Sequence, residues 1–317
     1  MSNDARKMIP YSRECRTPRK AEGRSLSAKI RQCGFSLIEI ALVLVIAGLA
    51  LGAGMAALGP QLINKKFSDT QRQLQDASDA IVAFAMVNRR LPCPATATST
   101  GRESFCTNPN PAAACGPEVF VTTTAGGGAE RGRCFVMANP NTGFVPAATL
   151  GMAGQDANGL VIDAWARPLR YIVPSTVNTT TNNGSITLAI TPATCNINAS
   201  TCYPFTHADG IRNRYYNPTA TPVSDVRVCD SIGAANCAGG RQLANPAFAV
   251  YSYGANLNAA PPALSVDEAA NVNNDRILVS HQRNEATTPV NTYFDDVVVW
   301  LTVDQLIQRM QGNGVLP

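Results

Sequence analysis

At 317 residues, 45% hydrophobic and 15% charged, the chain is long enough to bury a sizeable core and is not disordered as a whole. Its formal charge of +4 is unevenly placed. Residues 1–34 hold nine of the 26 Lys/Arg but only three acids, Asp4, Glu14 and Glu22, so 17 basic and 19 acidic residues remain beyond them. That slightly acidic remainder gives no bulk electrostatic reason to expect nucleic-acid binding.

Taken in chain order, the first element is an apolar run from Phe35 to Gly59, FSLIEIALVLVIAGLALGAGMAALG. It exceeds the roughly 20 residues needed to span a hydrocarbon core. The basic cluster before it predicts that residues 1–34 stay cytoplasmic and the rest is exported. Glu39 is the only charge in the run. A carboxylate in a membrane helix costs up to about 3 kcal/mol, so it either snorkels or meets a partner. If the chain is cut before Phe35, the new α-amino group supplies that partner. A secretory signal cut near Ala50, Gly52 or Ala53, or an uncleaved anchor, accounts for the apolar run but not for Gly34 and Glu39. A lipoprotein signal does not fit, because Cys33 precedes the run instead of following it.

The hexapeptide Gly34-Phe35-Ser36-Leu37-Ile38-Glu39 resembles the cleavage and methylation motif of type IV pilins and type II secretion pseudopilins. The resemblance implies cleavage after Gly34 by a prepilin peptidase and N-methylation of Phe35. It also implies pairing of Glu39 with the amino terminus of a neighbouring subunit during assembly. The division that follows is a leader over 1–34, a transmembrane helix over 35–59, an amphipathic continuation over 60–90 and a globular domain over 91–317. In the continuation, Leu74, Ala77, Ile81, Phe84 and Ala85 recur at helical spacing opposite Gln71, Arg72, Gln75, Asp76 and Asp79. The helix should end before Leu91-Pro92.

Beyond Pro92 the composition turns to Thr, Asn, Ala, Gly and Pro with short β-branched runs, which predicts strands joined by long turns. Candidate strands are Val119–Thr123, Leu169–Val173, Ser185–Ile190, Ala247–Tyr253, Ile277–Ser280 and Asp296–Leu301. Thr302 and Gln305 form a capping box ahead of a short helix whose apolar face is Val303, Leu306, Ile307 and Met310. The fold class expected is α+β: a long amino-terminal helix packed on an antiparallel sheet, disulfide-bonded, with a short carboxyl-terminal helix. Arg90-Leu91-Pro92-Cys93-Pro94, Asp163-Ala164-Trp165 with Arg170-Tyr171, and Phe294-Asp295-Asp296-Val297 extend the pseudopilin resemblance, with Trp165 and Tyr171 expected as core aromatics.

Of ten cysteines, Cys15 and Cys33 fall in the leader, leaving Cys93, Cys106, Cys115, Cys134, Cys195, Cys202, Cys229 and Cys237. An even number on an exported, oxidising side predicts disulfides. The preferred pairs are Cys195–Cys202, Cys229–Cys237, Cys106–Cys115 and Cys93–Cys134, one of 105 possible connectivities. Zinc is disfavoured by the lack of C-x-x-C and by only two histidines, His207 and His281. In major pseudopilins a calcium ion stitches a late loop, and Asp295, Asp296 and Asn256 are the residues that resemblance points to. This chain lacks a D-x-D-G run and separates Asn256 widely from Asp295, so ordinary turn carboxylates remain the alternative.

No enzyme is expected, since a nucleophile elbow, H-E-x-x-H and a phosphate loop are all missing. What the resemblance implies is a structural subunit, a minor one because its domain is bulky, of a type II secretion pseudopilus or type IV pilus. Its partners are then prepilin peptidase, fellow pilins or pseudopilins, and an assembly platform with its ATPase. It is placed as a single-pass bacterial inner-membrane protein with a periplasmic domain, later in the pilus or pseudopilus. The alternative is a membrane-tethered or pilus-tip binding protein or adhesin exported by the same route.

Overall fold

The computed structural model describes residues 36–106, 143–174, 240–257, 264–273, 276–285 and 292–316, with short pieces between them, chiefly 226–231. Helix α1 is Leu37–Asn88. Within it the side chains at 50–58 lie outside the described ones, as do Gly34, Phe35 and the whole leader. Among the described residues no helix is long and apolar enough to cross a membrane. Residues 36–49 are all exposed, Leu37, Ile38, Leu42, Leu44 and Leu49 among them.

The later part of α1 is built differently. Leu74, Ala77, Ile81 and Ala85, the face read from the sequence, are fully buried, joined by Thr70, Ser78 and Val82, while Phe84 is only half-buried. Arg89 turns left-handed at φ 58° directly after the helix, ahead of the Leu91-Pro92 pair that prevents its continuation.

The domain that receives this face is mixed α+β. Its principal sheet centres on β4, Pro246–Ser252, in which every residue is buried. Antiparallel neighbours are β1, Arg170–Ile172, and β6, Val297–Thr302, so that Val250 lies opposite Tyr171 on one side and Val299 on the other. Tyr171 packs edge-on to Phe248 at 6.1 Å, and its hydroxyl donates to the Pro92 carbonyl at 3.0 Å. A second sheet has β2, Arg227–Cys229, between β3, Gln242–Ala244, and β5, Ile277–Val279. Here the antiparallel expectation is corrected in one place: β5 pairs with β2 in parallel. The intervening chain, which includes β3 and β4, is long enough to make the crossover a parallel pair requires.

Short helix α2, Ala147–Leu150, precedes β1. Helix α3, Val266–Val272, precedes β5, and α4, Val303–Gly312, follows β6. The Thr302–Gln305 capping box forms as expected, and Val303, Leu306 and Met310 face inward. These residues share one core with the α1 face, Tyr171, Phe248 and Val250. Trp165 departs from expectation and is only half-buried. It sits in a tight turn whose Asp163 carboxylate accepts from the Trp165 and Arg167 amides at 2.8 Å each, followed by Ala166 at φ 61°, which keeps the indole near the surface.

Disulfide Cys229–Cys237 is present, with Cα atoms 5.7 Å apart. Cys93 is disulfide-bonded as well. The ladder sets Cys106 opposite Cys115 and places Cys134 beside Phe105, but those three side chains lie outside the described ones. Cys195 and Cys202 lie outside the described residues altogether.

Candidate cation site

Three segments meet at the end of β4. After Ser252 the chain turns through Gly254, whose φ of 58° and close approach to Asp295 leave no room for a Cβ. This turn delivers Asn256. Helix α3 delivers Glu268, and the two residues before β6 deliver Asp295 and Asp296. All four side chains are at least 95% buried. One oxygen from each of Glu268, Asp295 and Asp296 lies within 4.8 Å of the others.

Glu268 sits at the third position of α3 because Ser265 caps that helix: the Glu268 amide donates to Ser265 Oγ at 3.2 Å, and Glu268 Oε2 accepts from the Ser265 amide at 2.9 Å. The same Oε2 accepts from Asn256 Nδ2 at 2.9 Å, and Oε1 accepts from the Asp295 amide at 3.1 Å. Asp295 Oδ2 accepts from the Ala255 amide at 2.8 Å and from the Tyr293 hydroxyl at 3.1 Å. Asp296 Oδ2 accepts from Asn271 Nδ2 at 2.8 Å. The second oxygens, Asp295 Oδ1 and Asp296 Oδ1, have no partner, and neither has Asn256 Oδ1.

Among the described residues, no Lys or Arg forms an ion pair with any of these carboxylates. Arg167 comes nearest in effect, but its Nη2 donates to the Ala255 carbonyl at 2.6 Å. Burial therefore pushes Asp295 up to about 6, against the Ala255 hydrogen bond and with help from Glu268. Burial also pushes Asp296 well up, opposed by the Asn271 hydrogen bond and reinforced by Glu268 and Asp295.

The donors are all hard oxygens. Carboxylate and amide oxygens are the ligands that hard divalent cations such as calcium take. Each unsatisfied buried oxygen costs about 1–3 kcal/mol, which a cation would offset. The residues thus fit calcium.

Known proteins offer no guide here. The chain matches no protein-family model, no curated protein and no solved structure.

The three residues singled out from the sequence, Asn256, Asp295 and Asp296, are the three that carry the unpartnered oxygens. Glu268 escaped the sequence reading, although Ser265-Val266-Asp267-Glu268 is a capping-box signature that marks both the helix and the carboxylate. His281 does not contribute to the cluster. Its Nε2 lies 3.4 Å from Asp267 Oδ2, which raises its pKa, and its ring rests on Phe294 at 3.8 Å. His207 lies outside the described residues.

Proposed function

We propose that the chain is a pilin-like structural subunit, minor in its filament, that is cut after Gly34 by a prepilin peptidase and N-methylated at Phe35. It assembles through its amino-terminal helix into a type II secretion pseudopilus or a type IV pilus. The observation that carries this reading is the run Gly34-Phe35-Ser36-Leu37-Ile38-Glu39 opening directly onto apolar sequence. Supporting it, residues 37–49 are helical and expose apolar side chains on every side, with Glu39 as their single charge. A helix without a polar face is stable only in lipid or against other apolar helices.

In this reading α1 inserts its first half in the inner membrane and carries its second half, with the α+β domain, into the periplasm. The disulfides at Cys93 and Cys229–Cys237 suit that oxidising compartment. Glu39 meets the amine of Phe35 on a neighbouring subunit, so that two charges enter the filament core together. Asn256, Asp295 and Asp296 hold calcium, which supplies the positive charge that these side chains lack and fastens the turn after β4 to the start of β6. The domain acts as scaffold, and no catalytic residue is assigned.

Replacing Glu39 with Ala tests the assembly role: the variant should be cleaved normally yet be missing from sheared filaments. Filaments that persist in a deletion strain but no longer attach to their target would favour the tip-adhesin alternative instead.

A further inference from the structure

Helix α3 has an unusual anchorage. At seven residues it is too short to persist by itself, so it exists by docking. Its buried face consists of Glu268, Ala270 and Asn271, and Val266 on the other face is 53% exposed. Ala270 is therefore the only fully buried apolar side chain it contributes, and it packs in a small cluster with Val279 and Phe294 apart from the main core. Half-buried Val272 adds a contact to that core. The remaining attachment is polar. Asn271 accepts from the Val279 amide at 2.6 Å, and its Nδ2 donates to the Val279 carbonyl at 3.0 Å and to Asp296. Glu268 is held by Asn256 and by the amide of Asp295.

Glu268 and Asn271, which make these contacts, both touch residues of the carboxylate cluster, while Asp267 meets His281 away from it. Docking α3 brings Glu268 up to Asp295 and Asp296, adding a third like charge to a buried pair that has two unpartnered oxygens. Without a cation, the contacts that hold α3 and the repulsion that docking creates work against each other.

We propose that Glu268 is the third anionic ligand of a hard divalent cation such as calcium. Because the same carboxylate caps α3, ion occupancy and the docking of α3 with β5 form a single equilibrium. The proposal rests on reading the cluster as a cation site. Binding energy at the ion appears as protection of residues 265–279, and by reciprocity whatever loosens α3 weakens the ion. Glu268 performs both tasks because a carboxylate has about four acceptor positions and its hydrogen bonds use three.

The test uses the full chain in detergent micelles, stripped of metal by a chelator and titrated with calcium chloride. Affinity is read by calorimetry and local opening by amide hydrogen exchange. Calcium should slow exchange across 265–279 at least tenfold and leave 74–85 unchanged. Glu268→Gln keeps the capping box, since Gln serves at that position, but should weaken calcium at least tenfold. Ser265→Ala touches no carboxylate, yet should weaken calcium about three- to tenfold with one ion still bound.

If the parent chain binds no calcium at millimolar concentration, the cation-site reading itself fails. If calcium binds while exchange at 265–279 is unmoved, or Glu268→Gln binds as tightly as the parent, the coupling is wrong and the cation site stands. Should Glu268→Gln not fold, Ser265→Ala decides, and parental affinity in that variant overturns the proposal.

Discussion

Two of the places where the described residues bury carboxylates are treated in opposite ways. Glu103 is 4% exposed and receives Arg90 through two hydrogen bonds, at 2.7 and 3.1 Å, and the Cys93 amide at 2.7 Å. The guanidinium also lies over the rings of Phe84 and Phe105, so one compact arrangement closes the end of α1. At the other place Glu268, Asp295 and Asp296 converge without a cation and leave oxygens unpartnered. Burying a charge is expensive wherever it happens. The first site balances it from within the chain, whereas the second has no Lys or Arg paired with it among the described residues.

The largest effect that would sharpen this contrast is expected at Arg90. Arg90→Met strands Glu103 and should lower the unfolding free energy by about 3–5 kcal/mol in denaturant titrations, with most of the loss recovered in Arg90→Met/Glu103→Met. Calcium should not alter either value.

At the acidic cluster the response to calcium is the signature. At a hundredfold excess over its dissociation constant, calcium should add about 2.7 kcal/mol. For a domain of this size that raises Tm by about 5–10 °C in calorimetric scans, and a chelator should abolish the gain. Insensitivity to both would place the two sites in the same class and break the comparison.

The pH dependence follows from Asp295, whose pKa of about 6 exceeds the ordinary carboxylate value of about 3.9. The folded chain takes up this proton before the unfolded chain does. In chelator, stability should therefore fall as pH rises from about 4 to about 6, and the raised pKa of Asp296 extends the fall upward. With calcium the trend should reverse, because protons then compete with the ion. Denaturant titrations across this range check both signs.

A smaller effect is expected from Asp296→Asn. In chelator it removes an uncompensated charge and should stabilise by about 1 kcal/mol, while in calcium it should leave the variant less stable than its parent. A change of the same sign in both conditions would contradict an ion at this position.

Much of the scaffold was legible in the sequence because local rules determine it. Leu74, Ala77, Ile81 and Ala85 follow the helical period, Thr302 and Gln305 form a cap within one turn, and strand β4 is a plain apolar run. What escaped depends on topology. Strands β2 and β3 are three residues each, and nothing local indicates that β2 should take β5 as a parallel partner. Glu268 lies 12 residues from Asn256 and 27 from Asp295, so only the folded chain brings it to them. Asp295 and Asp296 were visible as acids before a strand, but their unpartnered oxygens appear only once burial is known.

Glu39 belongs with the second kind of carboxylate. It is the one charge in an apolar helical stretch, and none of its neighbours there is basic. The charge that balances it in the proposed filament arises only when the chain is cut. The amino-terminal peptide of the protein recovered from cells is therefore the most direct measurement, made by mass spectrometry. The proposed processing yields a peptide that begins with N-methylated Phe35. A peptide that begins near Ala53, or one that retains the intact leader, would contradict it.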